Sequence, residues 1–277
     1  MARVCAITMA RNDDFFLKRW VRYYGSQLGR DNLFVYLDGK DQHVPTECEG
    51  ANFFICDKLH GDRIRGDKLR ISFLCGKAHE LLDRYDYVIG TDADEFLIVD
   101  PLLGMTLPEY IASSGVRTTL SGLGVDVGQH LELEGKFDNG RGFLEQRSYA
   151  RLSTRYTKAS IIAKKVRWGS GFHRVKGHNY SIGKGLYLFH MGYFDMERVQ
   201  NRFSDRDHLS SGWTKHLQRR ARTIYLVSSR KARAWDKWTG VARWIQTVFR
   251  PIYAINKPAM FEAVLIVRIP ERFKNII

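Results

Sequence analysis

The sequence predicts an α/β protein: one mixed, mostly parallel central sheet flanked by helices, plus a basic helical extension at the C-terminus. Short apolar runs alternate with amphipathic segments over about the first 100 residues, which is typical of parallel β-α-β units. The 277 residues are 44% hydrophobic and 13% aromatic, enough for a large buried core. The four cysteines form no Cys-x-x-Cys pair, which argues against a zinc site or a disulfide framework.

The strands are predicted from short apolar runs that are often β-branched. They lie at 4–9, 33–37, 53–56, 87–91 and 96–99, and less distinctly near 118–123, 159–163 and 186–191. Several of the early runs end in polar residues, as expected at the carboxyl end of a strand. The segment 115–180 is rich in Gly and polar residues, so its elements are harder to assign.

The helices are predicted from apolar residues that recur every three or four positions. They lie at 14–28, 67–84, 195–206 and 211–221, and from 235 onward. Asn12 or Asp13 offers an N-cap for the first. The stripe of the second is Ile71, Leu74, Ala78, Leu81 and Tyr85, and that of the last is Trp238, Val241, Ile245, Val248 and Ile252.

Charge is distributed unevenly along the chain. Residues 1–150 contain 18 Lys and Arg against 23 Asp and Glu, whereas residues 151–277 contain 26 against 7. This asymmetry predicts an anionic partner, such as a nucleotide diphosphate, a polyanion or an acidic membrane surface. The alternative is a solvated basic face that serves only solubility.

Three polar clusters follow predicted strands: Arg11-Asn12, Asp38 and Asp92-Ala93-Asp94. Ligands of open α/β sheets bind at this edge. In extended backbone, Asp92 and Asp94 would point to the same side and repel each other. A hard divalent cation, Mn²⁺ or Mg²⁺, would compensate them and keep positions for phosphate oxygens. The alternative is a loop of solvated acids or a helix cap.

Two segments resemble glycosyltransferases that have the A-type nucleotide-sugar-binding fold. YDYVIGTDADEFLIV, residues 85–99, is similar to their Asp-x-Asp segment. VCAITMARNDDFFLKRWVRYYGSQLGRDNLFVYLDGKDQ, residues 4–42, is similar to the first β-α-β unit of the family-2-like branch. The resemblance covers residues 3–100 well and 155–215 loosely.

The resemblance implies a single Rossmann-like nucleotide-sugar-binding domain over residues 1–225. Its nucleotide-binding part would be 1–115 and its acceptor part 116–225, followed by a basic amphipathic extension at 226–277. The implied activity is metal-dependent, inverting transfer of a sugar from a nucleotide-diphosphate sugar to an acceptor hydroxyl. The implied acceptor is a glycan or glycolipid, such as a bacterial surface polysaccharide or a lipid-linked glycan.

The resemblance also implies roles for individual residues. Asp38 would lie near the base or ribose of the donor, and Arg11 and Asn12 would line the nucleotide pocket. Asp92 would contact the ribose or a metal-bound water, and Asp94 would bind the metal directly.

Further roles follow for residues later in the chain. Lys68 or Arg70 would meet the base or a phosphate, unless they are solvent-facing helical charges. His190 would complete the metal shell, unless it is a satisfied histidine at a strand end. His173 would approach the donor phosphates or the acceptor, unless its loop is an ordinary basic surface. Arg174, Lys176 and His178 could join His173.

Direct displacement at an anomeric carbon needs a base for the acceptor hydroxyl. The acidic residues available for that role are Asp126, Glu132, Glu134, Asp138 and Glu145. Spacing does not choose among them, so the role stays unassigned, with Asp126, Glu132 and Glu145 as weak candidates.

Two rival classes remain open. The charge and aromatic content suit a nucleic-acid-binding protein, but no helix-turn-helix, zinc-finger or RNP-like motif is present, so we expect no nucleic acid partner. A metal-dependent phosphohydrolase or nucleotidyltransferase also uses clustered Asp, although it would need more converging carboxylates. We expect a cytoplasmic protein that binds the anionic inner face of a membrane peripherally through 235–277, where Trp and basic residues mix. The alternative for that helix is packing on the core.

Overall fold

The computed structural model of the protein describes residues 2–59, 63–204, 213–260 and 263–277. The strands are β1 (Val4–Ala10), β2 (Leu33–Asp38), β3 (Asn52–Cys56), β4 (Tyr87–Gly90), β5 (Glu95–Val99), β6 (Thr119–Val127), β7 (Tyr149–Leu152), β8 (Ile161–Ile162), β9 (Ile182–His190), β10 (Arg233–Ala234) and β11 (Leu265–Arg268). The helices are α1 (Asp14–Leu28), α2 (Arg63–Leu81), α3 (Leu107–Ser113), α4 (Phe143–Gln146), α5 (Met196–Ser204), α6 (Trp213–Ser229) and α7 (Trp235–Val248).

Across the described residues, these strands form one sheet. Its order is β10-β11-β7-β6-β8-β4-β1-β2-β3, with β9 beside β6 and β5 beside β9. The strands β4, β1, β2 and β3 run parallel to one another. Antiparallel pairs enter in the second half of the chain, where β8 pairs with β4 and β7 pairs with β6. The predicted α/β class and mixed central sheet are therefore confirmed.

The alternation of side chains along β1 explains why helices cover both faces of the sheet. Ala6 and Ala10 point to the face covered by α1, where Leu17, Val21 and Trp20 are buried. Cys5, Ile7 and Met9 point to the opposite face, where the α2 residues Ile71, Leu74 and Ala78 are buried. A strand that is apolar on both faces is expected in a parallel sheet between two layers of helices.

Most predicted elements exist within a few residues of their predicted bounds. The helix predicted at 67–84 is α2, which ends at Leu81, and its predicted stripe is buried or packed against the core. The helix predicted at 195–206 is α5; its predicted residues 205 and 206 lie outside the described residues. The helix predicted at 211–221 is α6, which extends to Ser229, while residues 211 and 212 lie outside the described ones. Helices α3 and α4 and the strands β7, β10 and β11 had no counterpart in the prediction.

The C-terminal residues contain the predicted helix, α7, but its buried face differs from the predicted stripe. Trp235, Thr239, Ala242 and Gln246 are buried, whereas Val248 is exposed. The buried amide of Gln246 is satisfied because its Oε1 accepts a hydrogen bond of 2.6 Å from Thr157 Oγ1.

The same C-terminal region also contributes to the sheet and the core. Strand β11 pairs with β7, and the buried ring of Phe273 packs against Trp235. The division into residues 1–225 and 226–277 stays a prediction. Among the described helices, none combines the length and the apolar composition needed to cross a bilayer.

Candidate functional site

The acidic segment lies in a tight turn that is fixed to the first β-α unit. Strand β4 ends just before Thr91, whose carbonyl accepts a 2.9 Å hydrogen bond from Thr8 Oγ1. The Thr91 hydroxyl accepts a 2.9 Å bond from Trp20 Nε1. The Glu95 amide then donates to the Asp92 carbonyl at 3.1 Å, which closes the turn. The expectation of extended backbone here was wrong, because the turn rather than strand alternation brings the acids together.

Three carboxylates converge at this turn, and we call them the acidic cluster: Asp92, Asp94 and Glu95. One oxygen of each lies within 4.8 Å of the others. The Glu95 side chain is 1% exposed, whereas those of Asp94 and Asp92 are 20% and 27% exposed. The cluster is therefore buried at one end and open to solvent at the other.

Asp92 is held by two cations. Arg70 Nη1 donates to Asp92 Oδ1 at 2.6 Å, and Lys158 Nζ donates to Asp92 Oδ2 at 2.8 Å. Lys158 is 3% exposed and also lies 2.5 Å from Glu95 Oε1. Burial would raise the pKa of Asp92, but the charges of Lys158 and Arg70 outweigh it and hold that pKa well below its usual range. Burial, followed by the charges of Asp92 and Asp94, raises the pKa of Glu95 to about 7 against the opposing charge of Lys158.

Strand register explains why Lys158 meets the turn. Strands β4 and β8 are antiparallel, and Ile89 lies opposite Ile161. The same register, continued three residues past this pair, places Lys158 opposite Asp92. The cation therefore comes from the segment that leads into β8.

His190 ends β9 and lies between two acidic strand neighbours. It is opposite Glu95 on β5 and opposite Asp126 on β6. His190 Nδ1 hydrogen-bonds Asp126 Oδ1 at 2.7 Å, while Nε2 lies 3.5 Å from Asp94 Oδ2. One ring nitrogen is thus anchored to a carboxylate, and the other faces the acidic cluster.

The orientation of the His190 ring is fixed from two further directions. The Tyr156 ring stacks on it with centroids 3.7 Å apart and planes 14° apart. Thr223 Oγ1 donates to Asp126 Oδ2, which fixes the carboxylate behind the ring. Burial would lower the pKa of His190, but the charge of Asp94 and the hydrogen bond of Asp126 raise it to about 9.

A glycine leaves space beside these groups. A Cβ atom at Gly192 would lie 2.3 Å from Asp94 Oδ2 and 2.8 Å from His190 Nε2. The absence of a side chain therefore leaves open the volume next to the two groups predicted as metal ligands. Carboxylate oxygens with one imidazole, oriented by a second carboxylate, form a donor set that suits Mn²⁺ or Mg²⁺.

The predicted nucleotide-pocket residues lie at the ends of β1 and β2. Arg11 Nη1 donates to the Asp38 carbonyl at 2.5 Å, and both terminal nitrogens of Arg11 bind the Asp41 carboxylate at 2.9 and 2.7 Å. Asp38 Oδ1 accepts a 2.7 Å bond from the Leu59 amide. These contacts tie the end of β1 to the loop after β2.

Asn12 completes the same connection. Its backbone φ is 51°, in the left-handed region that Asn tolerates better than most residues. Its amide donates to Gln42 Oε1 at 2.8 Å, and Gln42 Nε2 donates to Asn12 Oδ1 at 2.7 Å. The structure therefore brings Arg11, Asn12 and Asp38 together at the sheet edge.

Four basic or imidazole residues were predicted to bind the donor, and the structure does not bring all of them together: Lys68, Arg70, His173 and Lys176. Arg70 contacts the acidic cluster, as described. His173 is partly buried, and burial together with the charge of Lys158 lowers its pKa to about 3. Lys68 and Lys176 instead line a groove beside α2.

We call this depression the basic groove; it lies between α2 and residues 167–176 and has a volume of about 490 Å³. Its lining residues are Lys68, Ile71, Ser72, Cys75, Gly76, His79, Arg167, Trp168, Gly169, Ser170, Arg174 and Lys176. As far as the described residues go, the lining contains four Lys or Arg residues and no Asp or Glu.

The weak candidates for the catalytic base do not share one location. Asp126 is buried and bonded to His190, so it orients that ring. Glu132 lies in an exposed turn. Glu145 lies on α4, where it pairs with Arg141 at 3.1 Å. Within the described residues, neither Glu132 nor Glu145 contacts the acidic cluster.

Sequence reasoning missed four residues around the site. Glu95 follows the Asp-x-Asp pair directly, so the acidic run itself pointed to it. Lys158 stands just before a predicted strand, but only the strand pairing gives its position. Tyr156 stacks on His190 from a loop, and Thr223 on α6 bonds Asp126 behind that ring; no local pattern marks either of them.

Comparison with known proteins identifies no family. No family model matches the chain, and no curated protein matches it. Among solved structures, it is similar to mannose-1-phosphate geranyltransferase from Thermus thermophilus, at 12% identity and a TM-score of 0.28 over 79% of this chain. The match spans 64% of that protein, which is less than two thirds of its length. It is also similar to CMP:2-keto-3-deoxy-manno-octonic acid synthetase complexed with CTP, at 12% identity and a TM-score of 0.28, covering 80% of this chain and 87% of that one. At this TM-score neither likeness indicates an activity.

Proposed function

We propose that the protein is a metal-dependent glycosyltransferase that moves a sugar from a nucleotide-diphosphate sugar to an acceptor hydroxyl. The observation that carries this proposal is the convergence of Asp92, Asp94 and Glu95 beside His190 at the carboxyl edge of the sheet. Ligands of α/β sheets bind at that edge, and clustered carboxylates there suit a cation that holds phosphate oxygens.

Asp94 and His190 are the residues we assign to direct metal coordination, with Glu95 beside them. Asp92, which the sequence also suggested as a ligand, has both oxygens bonded to cations, so we place it at the edge of the metal shell. A bound Mn²⁺ or Mg²⁺ would neutralise charge on the leaving diphosphate. The residues Arg11, Asn12 and Asp38 would bind the nucleoside, and Arg70 and His173 would approach the phosphates.

The acceptor is proposed to be a glycan or glycolipid, and the reaction to be inverting. Inversion requires a base that deprotonates the acceptor hydroxyl. Asp126 is the weakest of the three candidates, because its two oxygens are bonded to His190 and Thr223. The base is therefore left unassigned.

A thermal-shift screen of nucleoside diphosphates with and without Mn²⁺ tests the proposal. We expect one base to give a metal-dependent rise in Tm, which the Asp94→Ala variant loses. Asp83→Ala is the control, since it removes a surface acid whose salt bridge, among the described residues, is to Lys165. If Asp94→Ala responds to metal and nucleotide as the wild type does, the metal site is misplaced.

A nucleotidyltransferase is the second candidate. The sequence alone suggested two carboxylates, whereas the cluster has three, and that makes this class a stronger rival. The products discriminate the two activities. Transfer of a sugar releases a nucleoside diphosphate, whereas nucleotidyl transfer to a sugar phosphate releases pyrophosphate. Pyrophosphate formed from a nucleoside triphosphate and a sugar phosphate would favour the second candidate.

We also propose that the region 235–277 binds the surface of an anionic membrane. Ile252, Tyr253 and Ile255 follow α7 and are 106%, 81% and 80% exposed. Arg250 and Lys257 flank them. Apolar side chains beside basic ones suit insertion at an anionic interface.

Point substitutions test membrane binding better than deletion of 235–277, because deletion would remove β11 from the sheet. The triple variant Ile252→Ser, Tyr253→Ser, Ile255→Ser should sediment less with vesicles that contain phosphatidylserine. The control triple is Leu102→Ser, Leu103→Ser, Met105→Ser, which changes another exposed apolar patch. Equal sedimentation of both triples and the wild type would exclude the proposed surface.

A further inference from the structure

The basic groove has a rigid frame. Residues 167–176 fold back on themselves: the Gly169 amide donates to the Arg174 carbonyl at 2.8 Å, and the Lys176 amide donates to the Arg167 carbonyl at 2.8 Å. Between these bonds, Trp168 pairs with Val175, and both side chains are buried. The Trp168 amide also bonds Cys75 Sγ on α2 at 3.2 Å, which fixes the hairpin to the helix.

This frame holds like charges side by side. Arg167 and Lys176 are directly opposite across the hairpin, where like charges are destabilising. Lys68 and Arg174 add two more cations to the lining. Among the described residues, no acid forms an ion pair with any of these four. Lys257 lies close enough for the charge of Arg174, after burial, to lower its pKa.

The groove suits a small phosphate-bearing ligand. Its volume of about 490 Å³ lies within the range typical of small-molecule sites. Two guanidinium groups can bind phosphate through paired hydrogen bonds, and the hydroxyls of Ser72 and Ser170 add donors. The indole ring of Trp168 in the lining is buried at 3% exposure, so it offers no platform for stacked bases.

The groove is structurally connected to the acidic cluster. Helix α2 contributes Lys68 to the groove and Arg70 to Asp92. Trp168 and Phe172 pack on Gly90, where a Cβ atom would lie 2.7 Å from one ring and 2.8 Å from the other. The groove therefore shares α2 with the acidic cluster, and Trp168 connects its lining to the strand that leads into the cluster.

We propose that the basic groove is a metal-independent binding site for the phosphate group of the acceptor, separate from the metal site. This inference rests on the proposed function, since an acceptor is needed only if the protein transfers a group. The phosphate comes either from a soluble sugar phosphate or from a lipid headgroup. Both present the same charged oxygens to the groove.

Calorimetric titration with inorganic tripolyphosphate in EDTA tests the site itself. EDTA removes divalent ions, so the acidic cluster adds no metal-bound phosphate site. The double variant Arg167→Glu, Lys176→Glu should bind roughly tenfold more weakly or worse, because two charge-assisted contacts are reversed. The control Lys164→Glu, Lys184→Glu changes net charge equally at exposed positions outside the groove and should lose much less. Equal losses in the two variants would overturn the site.

Two further variants separate this inference from the proposed function. Asp94→Ala should lose the Mn²⁺-dependent response to nucleoside diphosphate and keep tripolyphosphate binding. Arg167→Glu, Lys176→Glu should do the reverse. If the groove variant also loses the nucleotide response, the groove belongs to the donor, and a separate acceptor site is overturned. If Asp94→Ala keeps the nucleotide response, the proposed function fails while the groove result stands.

The source of the phosphate is decided by two parallel measurements. One uses glucose 1-phosphate in solution; the other uses phosphatidylcholine vesicles with and without phosphatidic acid. Binding that the groove variant weakens, seen with glucose 1-phosphate alone, assigns a soluble acceptor. The same sensitivity with phosphatidic acid vesicles assigns a lipid-borne one. Failure of both ligands to bind in a groove-dependent way overturns the acceptor assignment.

Discussion

The acidic cluster and the basic groove share helix α2 but differ in whether their charged side chains have oppositely charged partners. In the acidic cluster, Asp92 contacts two cations, and Asp94 faces His190. In the groove, four cations lie together without an acid partner among the described residues. Helix α2 contributes to both sites: its Arg70 contacts the acidic cluster, and its Lys68 lines the basic groove.

This difference indicates what each site needs from a ligand. Cationic side chains already neutralise much of the negative charge of the acidic cluster, so a bound metal would add to that neutralisation. Repulsion between Asp92 and Asp94 alone therefore does not require a divalent cation. The groove is uncompensated, and its charges repel until an anion binds.

The largest expected effect comes from breaking the internal compensation. Lys158→Met removes the buried cation between Asp92 and Glu95, so we expect a loss of about 3–5 kcal/mol in the free energy of unfolding. Urea denaturation measures it. Lys164→Met removes an exposed lysine from the same region and should change stability by about 0.5 kcal/mol or less. A loss below about 1 kcal/mol in Lys158→Met would mean that the acids do not depend on Lys158.

The same variant also tests whether the cluster accepts a metal. Added Mn²⁺ should raise the Tm of Lys158→Met more than that of the wild type, because the cation would replace a missing positive charge. An equal rise in both proteins would count against metal binding at these carboxylates.

A smaller effect is expected from filling the space beside the proposed ligands. Gly192→Ala places a methyl group 2.3 Å from Asp94 Oδ2, so we expect a cost of about 1–3 kcal/mol and loss of the metal-dependent nucleotide response. Gly240→Ala is the matched control: it lies in α7 with nothing within 4 Å and should stabilise by about 0.5–1 kcal/mol. A Gly192→Ala variant that still binds metal and nucleotide would show that this space is not used.

The parts of the fold that could be predicted from sequence are those with local periodicity. The stripe of α2 and the apolar run of β1 each carry their own pattern, and both elements lie where predicted. The capping box at Thr106 and Glu109 was also a local signal for α3, and it was overlooked. Strand β11 was not predicted: its partner β7 lies over 100 residues earlier, and no local pattern pairs them.

The residues of the acidic cluster and its surroundings also divide into those that a local pattern predicts and those that it does not. Asp92 and Asp94 could be found because they follow a strand in a recognisable string. Lys158 and Asp126 could not be placed, because antiparallel and parallel registers between distant strands bring them to the cluster. The basic groove could not be predicted either, because composition does not show that a hairpin places Arg167 opposite Lys176.

Two histidines give the smallest expected effects, because one lies among the carboxylates of the acidic cluster and the other lies near Lys158 and Lys257. His190 faces carboxylates, and its pKa is raised to about 9. His173 is partly buried near cations, and its pKa is lowered to about 3. Side-chain NMR titration of the metal-free protein should therefore find His190 charged and His173 neutral at pH 7. Asp126→Asn should lower the pKa of His190, because it removes a charge that stabilises the imidazolium. Lys257→Met should raise the pKa of His173, because it removes a repelling cation.

The sign of the stability change differs between these two histidines. The raised pKa of His190 stabilises the fold below its unfolded value of 6.5, and that stability is lost as pH rises through about 9. The lowered pKa of His173 gives stability that is present above 6.5 and lost as pH falls toward 3. The slope of the unfolding free energy approaches about 1.4 kcal/mol per pH unit for each group. Unfolding measured across pH should therefore show Asp126→Asn flattening the alkaline side and Lys257→Met flattening the acid side. If both variants instead change stability equally at every pH, the acids around His190 and the cations around His173 do not set the two pKa values.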